Sequence, residues 1–400
     1  MTPPLHAQTG PARPSRPEVL HVITDLRQGG AEAMLEKLIL TSRAVTPEIV
    51  HRVISLRTIG TVGPRLDSAG VQVDALGATG LQSLPACLRQ LTALLARTPP
   101  PTVVQTWLYH ADLLGGLAAW RAGRTVVWNI RQTGLERADI GRTTRAVVRT
   151  CGLLSRHIPA RILCNASAAI PAHARMGYDP DRFQVIPNGF DTTVFKRDEA
   201  GARQVRAAWG LRDDEVAIGL VARLDPQKDH ATFVRAAAIA ATHMPALRFV
   251  LVGRGIPDST ALRQAIAEAG LCKHFVLDSE RSDIPRVMSA LDVFCLSSRA
   301  EGFPNVLGEA MACETPAVST DCGDARIVLG DDTYIAPVQD AAALAGCIME
   351  VAMLSPAQRR ALGARQRERI VREFDIREVW NSYLALYTEL VGAPSAGQPI

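Results

Sequence analysis

The chain has 400 residues, 47% hydrophobic but only 5% aromatic, more than one core normally serves and suited to two domains of similar size. Its formal charge of +4 sets 44 basic against 40 acidic residues, which excludes a dedicated nucleic-acid binder, so no nucleic-acid partner is expected. Eight cysteines without C-x-x-C spacing, several inside apolar runs, read as reduced buried thiols and point to a cytoplasmic compartment, and no run reaches the roughly 18 apolar residues of a membrane span.

In chain order, residues 1–17 hold five prolines and no signal-peptide core, and read as a disordered tail. Residues 18–24 form an apolar strand, followed by a polar loop ending at Gly29 and Gly30 and a helix with Met34, Leu35, Leu38 and Ile39 at helical spacing. Further strands are expected at 48–56, 71–76, 102–106, 125–129, 161–164 and 184–187, with helices between them. That series makes a first domain of residues 18–195. Residues 196–213 are charged and poorly periodic apart from a short helical stretch, and read as a linker. A second series at 216–221, 248–252, 274–277, 292–296 and 316–319 makes a second domain, residues 214–374. A final helix at 375–391 carries Trp380, Tyr383, Leu384 and Tyr387 on one face, and 392–400 is a tail. The fold class is α/β, two doubly wound Rossmann-like domains.

The most informative stretch follows the strand at 292–296, where Glu301 sits in a loop and Glu309 lies eight residues on, a little over one turn into a helix. In open α/β sheets ligands bind beyond the carboxyl ends of the strands, where helix N-termini favour phosphates, so a nucleotide is the natural ligand. The bare pair fits a solvated loop and a helix-end charge equally well. Its surroundings, Glu301-Gly302-Phe303-Pro304-Asn305 and Glu309-Ala310-Met311, carry more weight.

With Gly29-Gly30-Ala31-Glu32, Val185-Ile186-Pro187-Asn188-Gly189-Phe190-Asp191 and Gly219 to His230, these motifs make the chain resemble the retaining glycosyltransferases of family 4 over nearly all its length beyond the N-terminal tail. The resemblance implies the GT-B architecture, two Rossmann-like domains facing across a cleft, with the C-terminal helix packing back on the first. It also implies a sugar nucleotide as donor substrate, without a further cofactor. Arg223 and Lys228, flanking Leu224-Asp225-Pro226-Gln227 after a buried strand, suit one diphosphate, since Arg binds phosphate oxygens bidentately and Lys adds a point charge. Alone, the loop reads as well as a solvated basic turn. By resemblance Arg223 and Lys228 hold the diphosphate, Glu309 the ribose and Glu301 the transferred sugar, with the backbone of Phe303, Pro304, Asn305 and Val306 between them. Gly253 ends a strand where backbone can approach the nucleotide, and Asp283 lies in a loop resembling the base-binding segment. The base stays open, with a UDP-sugar favoured over a GDP-sugar.

On the acceptor side, Gly29 and Gly30 open a helix N-terminus to an anion or sugar, or simply make a tight turn. His110 follows a strand ending at Trp107, where the family often has histidine, and is expected to orient or deprotonate the acceptor, beside the reading as a surface histidine. Arg131 lies in a similar cleft loop. Arg142, Arg145, Arg149 and Arg156 share one basic helical face, with no acidic residue from 140 to 161. The face is either solvated or a peripheral contact with anionic lipid on the cytoplasmic side of the inner membrane. Asp179-Pro180-Asp181 precedes a strand in a turn and is assigned no metal, and none is required, because the cationic loop serves the phosphates. The expected function is transfer of a hexosyl or N-acetylhexosaminyl group from a nucleoside-diphosphate donor to a saccharide acceptor, a polyprenyl-diphosphate-linked one in bacterial polysaccharide biosynthesis. The alternatives are a soluble metabolite acceptor and a non-catalytic nucleotide-binding regulator or scaffold of the same fold.

Overall fold

The computed structural model of the protein describes residues 18–27, 29–80, 83–98, 102–135 and 140–392. The expected N-terminal tail, and all but the first residue of the C-terminal one, lie outside them. Seven strands, β1 (Glu18–Ile23), β2 (Val50–Ser55), β3 (Gln72–Ala75), β4 (Thr102–Trp107), β5 (Thr125–Ile130), β6 (Arg161–Cys164) and β7 (Phe183–Val185), form a parallel sheet in the order β3-β2-β1-β4-β5-β6-β7. Six more, β8 (Val216–Val221), β9 (Leu247–Val252), β10 (Phe275–Asp278), β11 (Val293–Leu296), β12 (Ala317–Thr320) and β13 (Ile335–Ala336), form a second in the order β10-β9-β8-β11-β12-β13. The central strands read as unbroken apolar runs because helices cover both faces of a parallel sheet. All twelve strands read from the sequence are present; β13 is two residues long and carries no period to read.

The stretch read as a linker contains the helix Glu199–Ala208, capped by the Asp198 carboxylate, which accepts from the Gly201 amide at 2.8 Å. It is the short helical stretch read within the linker, and its apolar stripe of Ala202, Val205 and Trp209 is buried in the second core. The final helix, Ile376–Gly392, sends Val379, Trp380, Tyr383 and Tyr387 into the core of the first domain against Leu35, Leu38 and Trp107. The two chain crossings between the domains lie side by side. Phe190 donates its amide to the Phe374 carbonyl at 2.8 Å and accepts from the Ile376 amide at 2.9 Å.

Phe190 itself is buried in the second core, stacked on Phe303 with ring centroids 6.0 Å apart. Its ring lies against the helix Asn305–Ala312 at Gly308, where a Cβ would fall 2.1 Å from the Phe190 Cζ. We expect Gly308→Ala to cost about 1–3 kcal/mol by forcing that ring to move. Gly346→Ala is the matched control, since nothing lies within 4 Å of a Cβ there and the helix Ala341–Ala352 gains propensity. Thermal melts that fall equally for both variants would remove the contact as the cause.

Candidate active site between the two sheets

Each sheet has a point where its strand order reverses. In the first, β1 lies between β2 and β4; in the second, β8 lies between β9 and β11. The loops leaving such adjacent strands diverge and open a crevice at the carboxyl edge. The Arg223–Lys228 loop follows β8 and the Ser297–Glu301 loop follows β11, so the two sequence motifs meet there. The Arg299 amide donates to the Gln227 carbonyl at 2.9 Å and ties them together.

Asp225 accepts from the Gln227 amide, which with the Arg223 guanidinium holds its carboxyl below the usual range. Arg223 contacts the same carboxylate at 2.9 Å, with 55% of its side chain exposed and free to reach a ligand. Lys228 is more enclosed, at 18%, and pairs with Glu301 at 2.5 Å. Glu301 also accepts from the Ser298 hydroxyl at 2.7 Å. An anion that drew Lys228 away would leave the Glu301 carboxylate able to accept from another donor. Asp229, at φ 47° and ψ 54°, turns the chain into the helix His230–His243 and caps it through the Thr232 amide. Gly253 has φ 156°, and a Cβ would lie 2.1 Å from the Ala222 carbonyl oxygen, so close packing of the β8 and β9 loops admits only glycine.

The remaining donor-side residues divide. Glu309 is half-buried, and burial raises its carboxyl pKa, opposed by the ammonium of Lys37. Phe303 and Pro304 are buried and Val306 packs on the second core, so of these only backbone faces a ligand. Asn305 is exposed but bonded to Asn188, whose amide donates to its Oδ1 at 2.8 Å. Asp283 is held by Arg281 through hydrogen bonds of 2.8 and 2.7 Å, at the start of the helix Ile284–Ala290.

On the first domain, Gly29 precedes the helix Gly30–Val45, and the space at the Gly30 Cβ position is open, leaving that N-terminus approachable. A Cβ on Gly29 would meet the Glu32 carboxylate at 2.4 Å. His110 lies in the first turn of the helix Tyr109–Arg121, half-buried, with its pKa lowered by desolvation and then by Arg57. The residue before that helix, Leu108, has φ 72° and ψ 153°, a conformation few residues other than glycine adopt. Such strain concentrates at functional sites. Trp107 is wholly buried and faces away from any ligand. Its indole N–H donates to His21 Nδ1 at 3.2 Å, which fixes His21 as an acceptor there. Neutral His21 then donates through Nε2 to His51 Nδ1 at 3.0 Å, and His51 Nε2 donates to Ser42 at 2.7 Å.

Contacts between distant parts of the chain brace the site, and of the residues making them Thr133, Ser167, Asp324 and Lys37 were not singled out from the sequence. Thr133 donates to the Glu301 carbonyl at 3.0 Å. Asp324 accepts from the Ser167 amide at 2.8 Å and its hydroxyl at 2.9 Å. Arg131 lies 4.9 Å from the Trp107 ring centroid, donates to Asn188 at 2.7 Å and reaches the Tyr383 hydroxyl at 3.3 Å. Lys37 donates to the Gly189 carbonyl at 3.0 Å, and desolvation lowers its pKa against the opposing pull of Glu309 and Asp191. One signal for Lys37 was available: it lies two turns beyond Gly30 on the same helical face. Of the four arginines read as one basic face, Arg145 and Arg149 line an interdomain cavity, whereas Arg142 and Arg156 are exposed. Among the described residues no group of three or more His, Cys, Asp or Glu side chains is placed to hold a metal ion.

Residues 50–194 match the family model described as Glycosyltransferase Family 4, and residues 215–353 match the one described as Glycosyl transferases group 1. The chain carries the two domains of a glycosyltransferase, one matched to family 4 and one to group 1. Among the relatives, a D-inositol 3-phosphate glycosyltransferase of Mycobacterium marinum is 31% identical over 159 residues, 38% of the chain and 33% of that protein. The chain thus spans about a third of the length of that relative. EpsF of Bacillus subtilis, a glycosyltransferase by inference, is 26% identical over 77% of the chain and 80% of its own length. Anabaena HepE, solved in complex with UDP, has a TM-score of 0.79 at 20% identity, covering 93% of this chain and 100% of that one. At that identity the likeness shows the GT-B fold alone.

Proposed function

We propose that this chain is a retaining glycosyltransferase that moves a sugar from a nucleoside-diphosphate donor to a saccharide acceptor across the interdomain cleft. The observation that carries the reading is the meeting of Arg223, Lys228 and Glu301 at the β8–β11 reversal, closed from the first domain by Thr133. Arg223 and Lys228 draw charge from the departing diphosphate, which is where it accumulates as the bond to the sugar breaks. Glu309 binds the ribose, and Glu301 holds the sugar while the acceptor attacks on the same face. His110 orients the acceptor hydroxyl at the β4 end, and the fixed cations stand in for a metal. Domain closure excludes water and aligns the two substrates.

The favoured acceptor is a polyprenyl-diphosphate-linked saccharide used to build a bacterial surface polysaccharide at the cytoplasmic face of the membrane, supported by the extent of the match to EpsF. Among the described residues no single helix is long and apolar enough to cross a membrane. The D-inositol 3-phosphate relatives favour a second reading, a soluble phosphorylated acceptor. UDP is the first base to try, because HepE was solved with it.

A thermal-shift panel of UDP, GDP, ADP and their sugar conjugates tests the donor. A ligand at about 100 times its Kd adds about 2.7 kcal/mol to the folded state. We expect one nucleotide to raise Tm in the parent and to lose that effect in Glu309→Ala. No response to any of them would end the donor reading.

A further inference from the structure

A cavity of about 1110 Å³ lies between the domains, beside the donor loops and distinct from the β1–β4 opening. Among the described residues four arginines line it. Arg145 and Arg149 come from the helix Arg142–Leu154, Arg175 from just beyond the helix Ala169–Ala174, and Arg299 from the loop after β11 in the other domain. Among the described residues no carboxylate lines it and none of the four makes an ion pair. Arg145 donates to the Leu135 carbonyl at 2.8 Å and Arg175 to the Pro171 carbonyl at 3.2 Å, while Arg149 and Arg299 are exposed. Elsewhere in the molecule arginine heads are commonly matched, as Arg206 is by Asp292 at 2.9 Å and Arg281 by Asp283 at 2.7 Å.

Four like charges converging from two domains repel one another, and closure of the cleft makes this worse. An arrangement of that kind is stabilised by a polyanion, and guanidinium forks match phosphate oxygens. Apolar side chains also line it: Leu153, 76% exposed, and Met176 from the first domain, and Val338 from the second.

We propose that this cavity binds the phosphoryl or diphosphate group of the acceptor, with Arg149, Arg175 and Arg299 as its ligands. Naming the ligand an acceptor rests on the glycosyltransferase reading; the anion site itself does not. Because Arg299 lies two residues before Glu301, an anion bridging it to Arg149 couples acceptor binding to closure over the donor.

The test uses the full chain, saturated with UDP so that Arg223 and Lys228 are occupied, and titrated calorimetrically with inorganic diphosphate. We expect a single saturable site whose affinity falls with salt. The Arg149→Ala/Arg175→Ala double variant should weaken diphosphate at least tenfold and leave UDP affinity within twofold. Arg223→Ala should do the reverse. Undiminished diphosphate binding in the double variant overturns the proposal, as does diphosphate loss in Arg223→Ala alone. If the parent ignores UDP while the double variant still loses diphosphate, the donor reading fails and the anion site stands. Geranylgeranyl diphosphate separates the sources. Binding tenfold tighter than inorganic diphosphate, reversed by Leu153→Asp, identifies a lipid-linked group on these apolar side chains; equal affinity identifies a soluble phosphorylated acceptor.

Discussion

Replacing Arg223 or Lys228 by alanine should lower the rate of sugar transfer about 10²–10³-fold, which is about 2.7–4 kcal/mol of transition-state stabilisation. The effect falls on the rate because the leaving diphosphate gains its charge only as the bond to the sugar breaks. The stability cost of the two changes differs. Arg223 is 55% exposed and paired only with the nearby Asp225, and pairs of that kind contribute about 0–1 kcal/mol, so its Tm should stay close to that of the parent. Lys228 is 18% exposed, and its removal leaves Glu301, 12% exposed, with only the Ser298 hydroxyl for support. Lys228→Ala should therefore also lower Tm, and Lys228→Ala/Glu301→Gln should restore part of that stability without restoring transfer. Full turnover in Arg223→Ala, with the fold intact, would sink the assignment of the diphosphate to this loop.

Asp112→Asn should stabilise the protein by about 3 kcal/mol at pH 8 and above and by almost nothing near pH 4. Asp112 lies wholly buried in the helix Tyr109–Arg121, where its Oδ1 accepts from the Thr106 hydroxyl at 2.5 Å. Its Oδ2 has no partner among the described residues. Burial pushes the carboxyl up to about 8, against the opposing hydrogen bonds from Thr106 and Asn129. Between the unfolded value of 3.8 and the folded value of about 8, the folded chain holds a proton that the unfolded chain has lost. Stability must then fall as pH rises through that window and level off above it. The full shift corresponds to about 6 kcal/mol at about 1.4 kcal/mol per unit, and local relaxation reduces what is realised. Asparagine keeps the acceptor for Thr106 and removes the ionisation.

The buried histidines act in the opposite sense. Burial lowers the pKa of His21 well below its usual value, that of His51 to about 3, and those of His173 and His230 to about 4. Below about pH 6.5 the unfolded chain binds protons that these folded side chains refuse, so stability falls with acid. Melting the parent and Asp112→Asn from pH 4 to pH 9 separates the two effects. The parent should peak near pH 7, and the variant should hold its stability into alkali. A constant offset between the two curves would mean that Asp112 does not titrate in this range.

Much of the fold is written locally. The strands of a covered parallel sheet are continuous apolar runs, so β1, β8 and β11 stand out without any knowledge of their neighbours. Glu301 and Glu309, Arg223 and Lys228 are each linked by short spacings on one loop or one helix, and chain stiffness alone keeps such partners near one another. The helix Glu199–Ala208 was legible only as a short helical stretch, because its apolar stripe is three residues, Ala202, Val205 and Trp209. β13, two residues long, was missed because it carries no period to read.

The sequence by itself determined two doubly wound domains and put Arg223, Lys228, Glu301 and Glu309 beyond the ends of their strands, because both follow from local periodicity. Only the tertiary structure decided that Lys228 pairs with Glu301, that Asn305 is bonded to Asn188 and that Lys37 approaches Glu309. It also turned Arg145 and Arg149 toward Arg299 across the cleft. These pairs are separated by many tens of residues and belong to different elements. Their meeting depends on strand order and on the angle at which the two sheets face, which no spacing along the chain encodes.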